Sequence, residues 1–156
     1  MSSKSRFLQK LQSQQSGNTA SENKGQADIA EFRRRMSELQ KRADEWLAGT
    51  GGRTEHPSVS LVELLTGGRP FSMPGLVLHY DARCVKFIPI FLYGQGVTGC
   101  VDVTLCADGK SEPLCRLFMR TAEQADWTYT LAGMPTGRRR ALNEDAFFEI
   151  IDSLLP

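Results

Sequence analysis

The hydrophobic positions of the chain change period once. Between residues 28 and 48 they recur at helical spacing, and from Leu76 onwards they alternate. In the first region Ile29, Phe32, Met36, Leu39, Ala43 and Trp46 are spaced alternately three and four apart. That spacing is the a/d seam of an amphipathic helix. Asp28 and Glu31 stand at capping-box separation, and Gly49, Gly51 and Gly52 end the pattern. Such a stripe requires an opposing surface, which is either this chain's own core or a second chain. The polar, glycine-rich connection "GTGGRTEHP" leaves both open. A short helix is expected over 60–66, where Ser60 and Glu63 again have capping-box spacing and Gly67 follows. "RPFSMPG" reads as a loop.

The alternating region predicts five strands, at 76–80, 84–93, 97–106, 114–121 and 127–131, joined by "DAR", "GQG", "ADGKSEP" and "AEQAD". Connections this short favour antiparallel neighbours. Val101, Val103 and Leu105, then Cys115, Leu117 and Met119, then Trp127 and Tyr129, define one apolar face. Pro89 cannot donate to a ladder and marks a bulge or an edge. A last helix is expected over 143–155. Asn143 is its cap, Glu144 and Asp145 suit its positive end, and Leu142 with Phe147 form a hydrophobic staple. The expected fold class is α+β. A five-stranded antiparallel meander (76–131) packs against the heptad-patterned helix (28–48), the short helix (60–66) and the C-terminal helix (143–155).

Composition narrows the setting. The 156 residues suit one domain with a core of its own. The expected organisation is a disordered basic arm over 1–25 and a single domain over 26–156, with the 28–48 helix semi-detached if it meets a second chain. The arm, "QSQQSGNTASENKGQ" with its flanks, has little to bury. Phe7, Leu8 and Leu11 form one apolar turn on it. Net charge is +1, which supplies no bulk attraction to nucleic acid or membrane. Lys4, Arg6, Lys10 and Lys24 make the first stretch basic, while Glu144, Asp145, Glu149 and Asp152 make the last one acidic. Cys84, Cys100, Cys106 and Cys115 form no C-x-x-C pair. No apolar run suits a signal peptide or a membrane span, so a cytoplasmic chain with reduced thiols is expected.

Four groups of residues bear on chemistry. Gly94, Gly96 and Gly99 follow the G-x-G-x-x-G spacing, with Val101 beyond. A dinucleotide loop requires a helix next, but "CVDVTLC" alternates as a strand. A kinase loop requires a catalytic lysine, H-R-D and D-F-G motifs, which are missing after it. The glycines therefore read as a hairpin turn and bulge. His56 and His79 have no ligand or triad partner at a known spacing, though Cys84 and His79 could meet in space as a nucleophilic pair. The cysteine spacing matches no closed zinc set, so neither metal nor cofactor is expected.

Arginine clusters remain. Arg33, Arg34 and Arg35 lie on the long helix, and Arg138, Arg139 and Arg140 precede the last one. Lys86, Arg116 and Arg120 would share the outer sheet face. These are candidate anion or nucleic-acid contacts, although Glu31 and Glu38 are placed to neutralise Arg34 and Arg35. The leading expectation is a non-enzymatic interaction module or adaptor. It would bind another protein, or itself, through Phe32, Met36, Leu39 and Trp46, the arm, or the polar sheet face. A nucleic-acid binder is second and a small enzyme third, with no catalytic residue assigned.

Overall fold

The computed structural model describes residues 3–94, 97–119, 127–132 and 140–154. The chain is α+β, with a large antiparallel sheet and, among the described residues, two α-helices. The elements, in order, are α1 (Ser3–Leu47), β1 (Arg53–Glu55), β2 (Ser58–Leu61), a 3-10 turn (Leu64–Thr66), β3 (Phe71–Pro74), β4 (Leu76–Tyr80), β5 (Arg83–Gly94), β6 (Val97–Ala107), β7 (Lys110–Phe118), β8 (Thr128–Leu131), β9 (Arg140–Ala141) and α2 (Glu144–Ile151). A second 3-10 turn, Asp152–Leu154, continues from α2.

The main sheet has seven strands in the order β1-β4-β5-β6-β7-β8-β9. Its middle is the expected meander from β4 to β8, and β1 and β9 extend the two edges. Two connections differ from expectation. The stretch "ADGKSEP" contracts to a turn at Asp108 and Gly109, because Ala107 already pairs with Lys110. Both turn residues have positive φ, 54° and 74°, as the twist-matched two-residue hairpin turn requires. The glycine-rich hairpin is likewise shorter. Gly94 pairs with Val97, so the glycine at one end belongs to β5, while Gly99 belongs to β6. Gly96 and the "AEQAD" connection lie outside the described residues.

Pro89 marks a bulge. It opposes Val101, whereas Phe91 opposes Cys100, leaving Ile90 as the extra residue on β5.

The short helix over 60–66 is corrected. Residues 58–61 form β2, which pairs with β3 as a separate two-stranded sheet. The sequence Ser-Val-Ser-Leu alternates, and that local period of two prevails over the capping-box spacing. Only Leu64–Thr66 is helical, capped by Glu63 rather than Ser60.

The long helix is also corrected at its start. It runs for 45 residues from Ser3, where a start at 28 was expected. The interval contains no proline, and adding turns to an existing helix avoids the cost of nucleation. Asp28 is therefore no cap; it is buried mid-helix and accepts a hydrogen bond from the Tyr93 hydroxyl. Burial and the Asp28 carboxylate together push the Tyr93 hydroxyl pKa upward.

Both helices contribute to one core with the apolar face of the sheet. Phe32 meets Trp127 edge-on at 6.0 Å, and Phe147 of α2 lies 4.9 Å from Trp46 and 6.0 Å from Phe87. Val101, Val103, Leu105, Cys115, Leu117, Met119, Trp127 and Tyr129 are all buried, so the alternation identified the inner face. Asn143 caps α2 by accepting a hydrogen bond from the Ala146 amide at 2.8 Å. Leu142 and Phe147 are buried as the staple requires. No helix among the described residues is long and apolar enough to cross a membrane.

Candidate interaction surface

The residues expected to form a helical interface are occupied elsewhere. Phe32, Met36 and Leu39 are fully buried in the core, and Trp46 is half-buried against Phe147. Their stripe faces this chain's own sheet. Polar side chains along the same helix hold it there. Arg33 donates to the Ser72 carbonyl at 2.9 Å, and Gln40 donates to the Gly75 carbonyl at 2.6 Å. The Thr54 hydroxyl donates to Asp44 at 2.7 Å.

The arginine triplet on α1 is engaged too. Arg34 bonds Glu31 and Glu38, both at 2.6 Å, and Arg35 bonds Glu31 at 2.9 Å. Hydrogen bonds from Arg34 and then Arg35 hold the Glu31 pKa down to about 2, from an ordinary 4.5. A carboxylate depressed in the folded state stabilises it fully above pH 4.5, and that contribution is lost as pH falls from 4.5 to about 2. Glu31→Gln is therefore expected to lower the melting temperature at pH 7 and to match the parent near pH 2. Melts across that window test the assignment, and a pH-independent gap would refute it. The effect is small, because Arg34 is largely in solvent.

Of the other cationic candidates, two share the outer sheet face. Lys86 is exposed on the outer sheet face, and Arg116 lies on that face 3.6 Å from Asp102. Arg140 is exposed in β9, while Arg120, Arg138 and Arg139 lie outside the described residues.

His79 and Cys84 do meet, since they oppose each other across β4 and β5. Their surroundings do not suit a nucleophile. His79 Nε2 sits 2.9 Å from Glu55 on the edge strand without hydrogen-bond geometry. The Cys84 thiol pKa is pushed up, first by burial and then by the neighbouring Cys106 thiol, whereas an activated cysteine has a lowered pKa. A cavity of about 230 Å³ lies beside His79, lined mainly by Leu47, Leu78, Phe148, Ile151 and Leu154. Among the described residues no three His, Cys, Asp or Glu side chains are grouped to hold a metal.

The surface feature that stands out is one the sequence pattern concealed. Val62, Leu64 and Leu65 are 58%, 85% and 74% exposed. Single exposed aliphatic residues are ordinary, but three within four positions form a patch. The turn that carries them is well fixed. The Glu63 carboxylate accepts from the Leu65 amide at 3.1 Å, and the Gly67 and Gly68 amides donate to the Leu64 and Glu63 carbonyls at 3.2 and 3.1 Å. Gly67 takes φ 94°, the left-handed conformation that closes the turn. Behind it, Val59 and Leu61 of β2 and Phe71 of β3 pack on the core. The turn is thus an apolar knob on an anchored two-stranded support. Consecutive leucines ahead of Gly67-Gly68, on a segment too short to bury both, were the available signal. Phe7 and Leu8, near the start of α1, are a second exposed apolar pair. Comparison of the chain with protein-family models, with curated proteins and with solved structures yields no match to any of them.

Proposed function

We propose that this chain is a non-enzymatic protein-interaction module whose contact element is the β2–β3 turn. The observation that carries the reading is the exposure of Val62, Leu64 and Leu65 on a hydrogen-bonded turn. Ordering a flexible loop on binding costs free energy, and a turn already closed by its own amides avoids most of that cost. The partner's chemistry follows: a protein presenting an apolar groove that accepts two adjacent leucines. The exposed Phe7–Leu8 pair on α1 is the secondary contact of the same reading. The pairing of the α1 arginines with Glu31 and Glu38 favours a protein partner over nucleic acid.

The test compares the full chain with its Leu64→Asp/Leu65→Asp variant as baits in the native host. Both side chains point to solvent, so the variant should melt within a few degrees of the parent. The reading expects a protein retained by the parent and reduced at least tenfold by the variant. Identical capture by both, or capture by neither, overturns it.

A further inference from the structure

We propose that Cys84 and Cys106 form a cross-strand dithiol that a low-molecular-weight disulfide, such as glutathione disulfide, oxidises to an intramolecular disulfide. The two residues oppose each other directly across β5 and β6. The Cys84 thiol feels its neighbour, since burial first and Cys106 next push its pKa upward. Cys106 Sγ also lies 3.7 Å from the Ser111 hydroxyl on β7. Both cysteines are half-buried, so a small reagent reaches them, whereas Cys100 and Cys115 are buried. The interior setting pushes the Cys115 thiol up to about 12, which makes it a poor competitor.

The geometry suits the bond. Directly opposed residues of an antiparallel pair have Cα atoms about 4.5–5.5 Å apart, inside the roughly 4.4–6.8 Å range of disulfides. Their Cβ atoms stand about 4.5–5.5 Å apart, wider than the roughly 3.8 Å mean of relaxed disulfides. Closing the bond therefore draws the strands together locally. A bond between two half-buried sulfurs also stays open to attack by a reducing thiol, which is the property of a reversible site rather than a structural one.

The chemistry balances in two exchanges. The Cys106 thiol, beside the Ser111 hydroxyl, loses its proton and its thiolate attacks a sulfur of glutathione disulfide. A mixed disulfide forms and one glutathione thiolate leaves. The second protein thiol, deprotonated in turn, attacks the protein sulfur of that mixed disulfide and expels the second glutathione. The protein dithiol is oxidised by two electrons, the small disulfide is reduced by two, and the two released thiolates take up the two protons. The outer sheet face around the pair, which includes His79 and Lys86, is where a partner would sense the change.

The test treats the full-length native protein with glutathione disulfide, quenches with acid, and alkylates the remaining thiols under denaturing conditions. The expected result is loss of two of the four thiols without added glutathione mass, and a peptide joining residues 84 and 106. Cys84→Ser and Cys106→Ser should each stop at a single glutathione adduct or stay unmodified. Cys100→Ser/Cys115→Ser should still form the bond, and reduced glutathione should reverse it. Four free thiols in the parent, stable glutathione adducts there, or a bond through Cys100 or Cys115 would overturn the proposal. Melting curves of the serine variants confirm that each is folded.

Discussion

Replacing Phe32 and Leu39 together with glutamate is expected to unfold the domain. Both side chains are fully buried at the centre of the α1 stripe, and Phe32 lies against Trp127. Truncation alone is severe, since Phe→Ala costs about 3–5 kcal/mol and Leu→Ala about 2–5 kcal/mol. Their combined cost already rivals the roughly 5–15 kcal/mol that stabilises a typical domain. Glutamate adds the burial of two unpaired carboxyl groups. Circular dichroism and thermal melting should show no cooperative transition. A variant that kept a cooperative melt near the parent's midpoint would mean that α1 is separable from the sheet, and would make the heptad stripe a free surface again.

The second large effect is expected at Gly99. Its φ is +125°, and a Cβ placed there would stand 2.7 Å from Met119 Cγ and 3.3 Å from Phe32 Cδ1. Thr98 and Gly99 together oppose Met119. The Thr98 amide donates to the Met119 carbonyl at 2.9 Å, and the Met119 amide donates to the Gly99 carbonyl at 3.1 Å. Backbone hydrogen bonds therefore hold the chain on both sides, which limits its retreat. Gly99→Ala should cost about 2–5 kcal/mol, of which roughly 1–3 is conformational strain and the rest crowding. Gly109 provides the control. It has φ +74°, and a Cβ there would meet nothing within 4 Å, so Gly109→Ala carries the strain without the crowding. Denaturant titration should place Gly99→Ala well below Gly109→Ala. Equal losses would mean that Met119 moves aside freely.

The two periodicities are legible because burial imposes them. Alternation locates β4 to β8 and their inner face, since each of those strands spans several residues against one core. The helical seam locates the packed part of α1 for the same reason. Periodicity names a buried face but not what buries it, so Phe32, Met36, Leu39 and Trp46 suit a partner and the core equally well as a pattern. Short elements escape. β1 and β9 contain three and two residues, too few for a period to show. At 60–66, capping chemistry and strand alternation compete, and pairing with β3 decides the outcome. The knob is hidden for the same reason, because a helix over 60–66 would put Leu64 and Leu65 on its buried side. The dithiol needs strand register. Cys84 and Cys106 are far apart in sequence, and the bulge at Pro89 makes their alignment hard to count.

The length of α1 links two distant parts of the molecule. Ile29 is the first buried apolar residue described on it, about 40 Å along the helix from Ser3. In isolation such a stretch is a poor helix, because it is rich in Ser, Asn, Thr and Gly, which have low helix propensity. Here the packed half acts as a permanent nucleus, and the rest winds by extension from it. The shape that Phe7 and Leu8 present is thus inherited from contacts such as Phe32 on Trp127, and loosening those contacts would unwind the tip without altering any residue there.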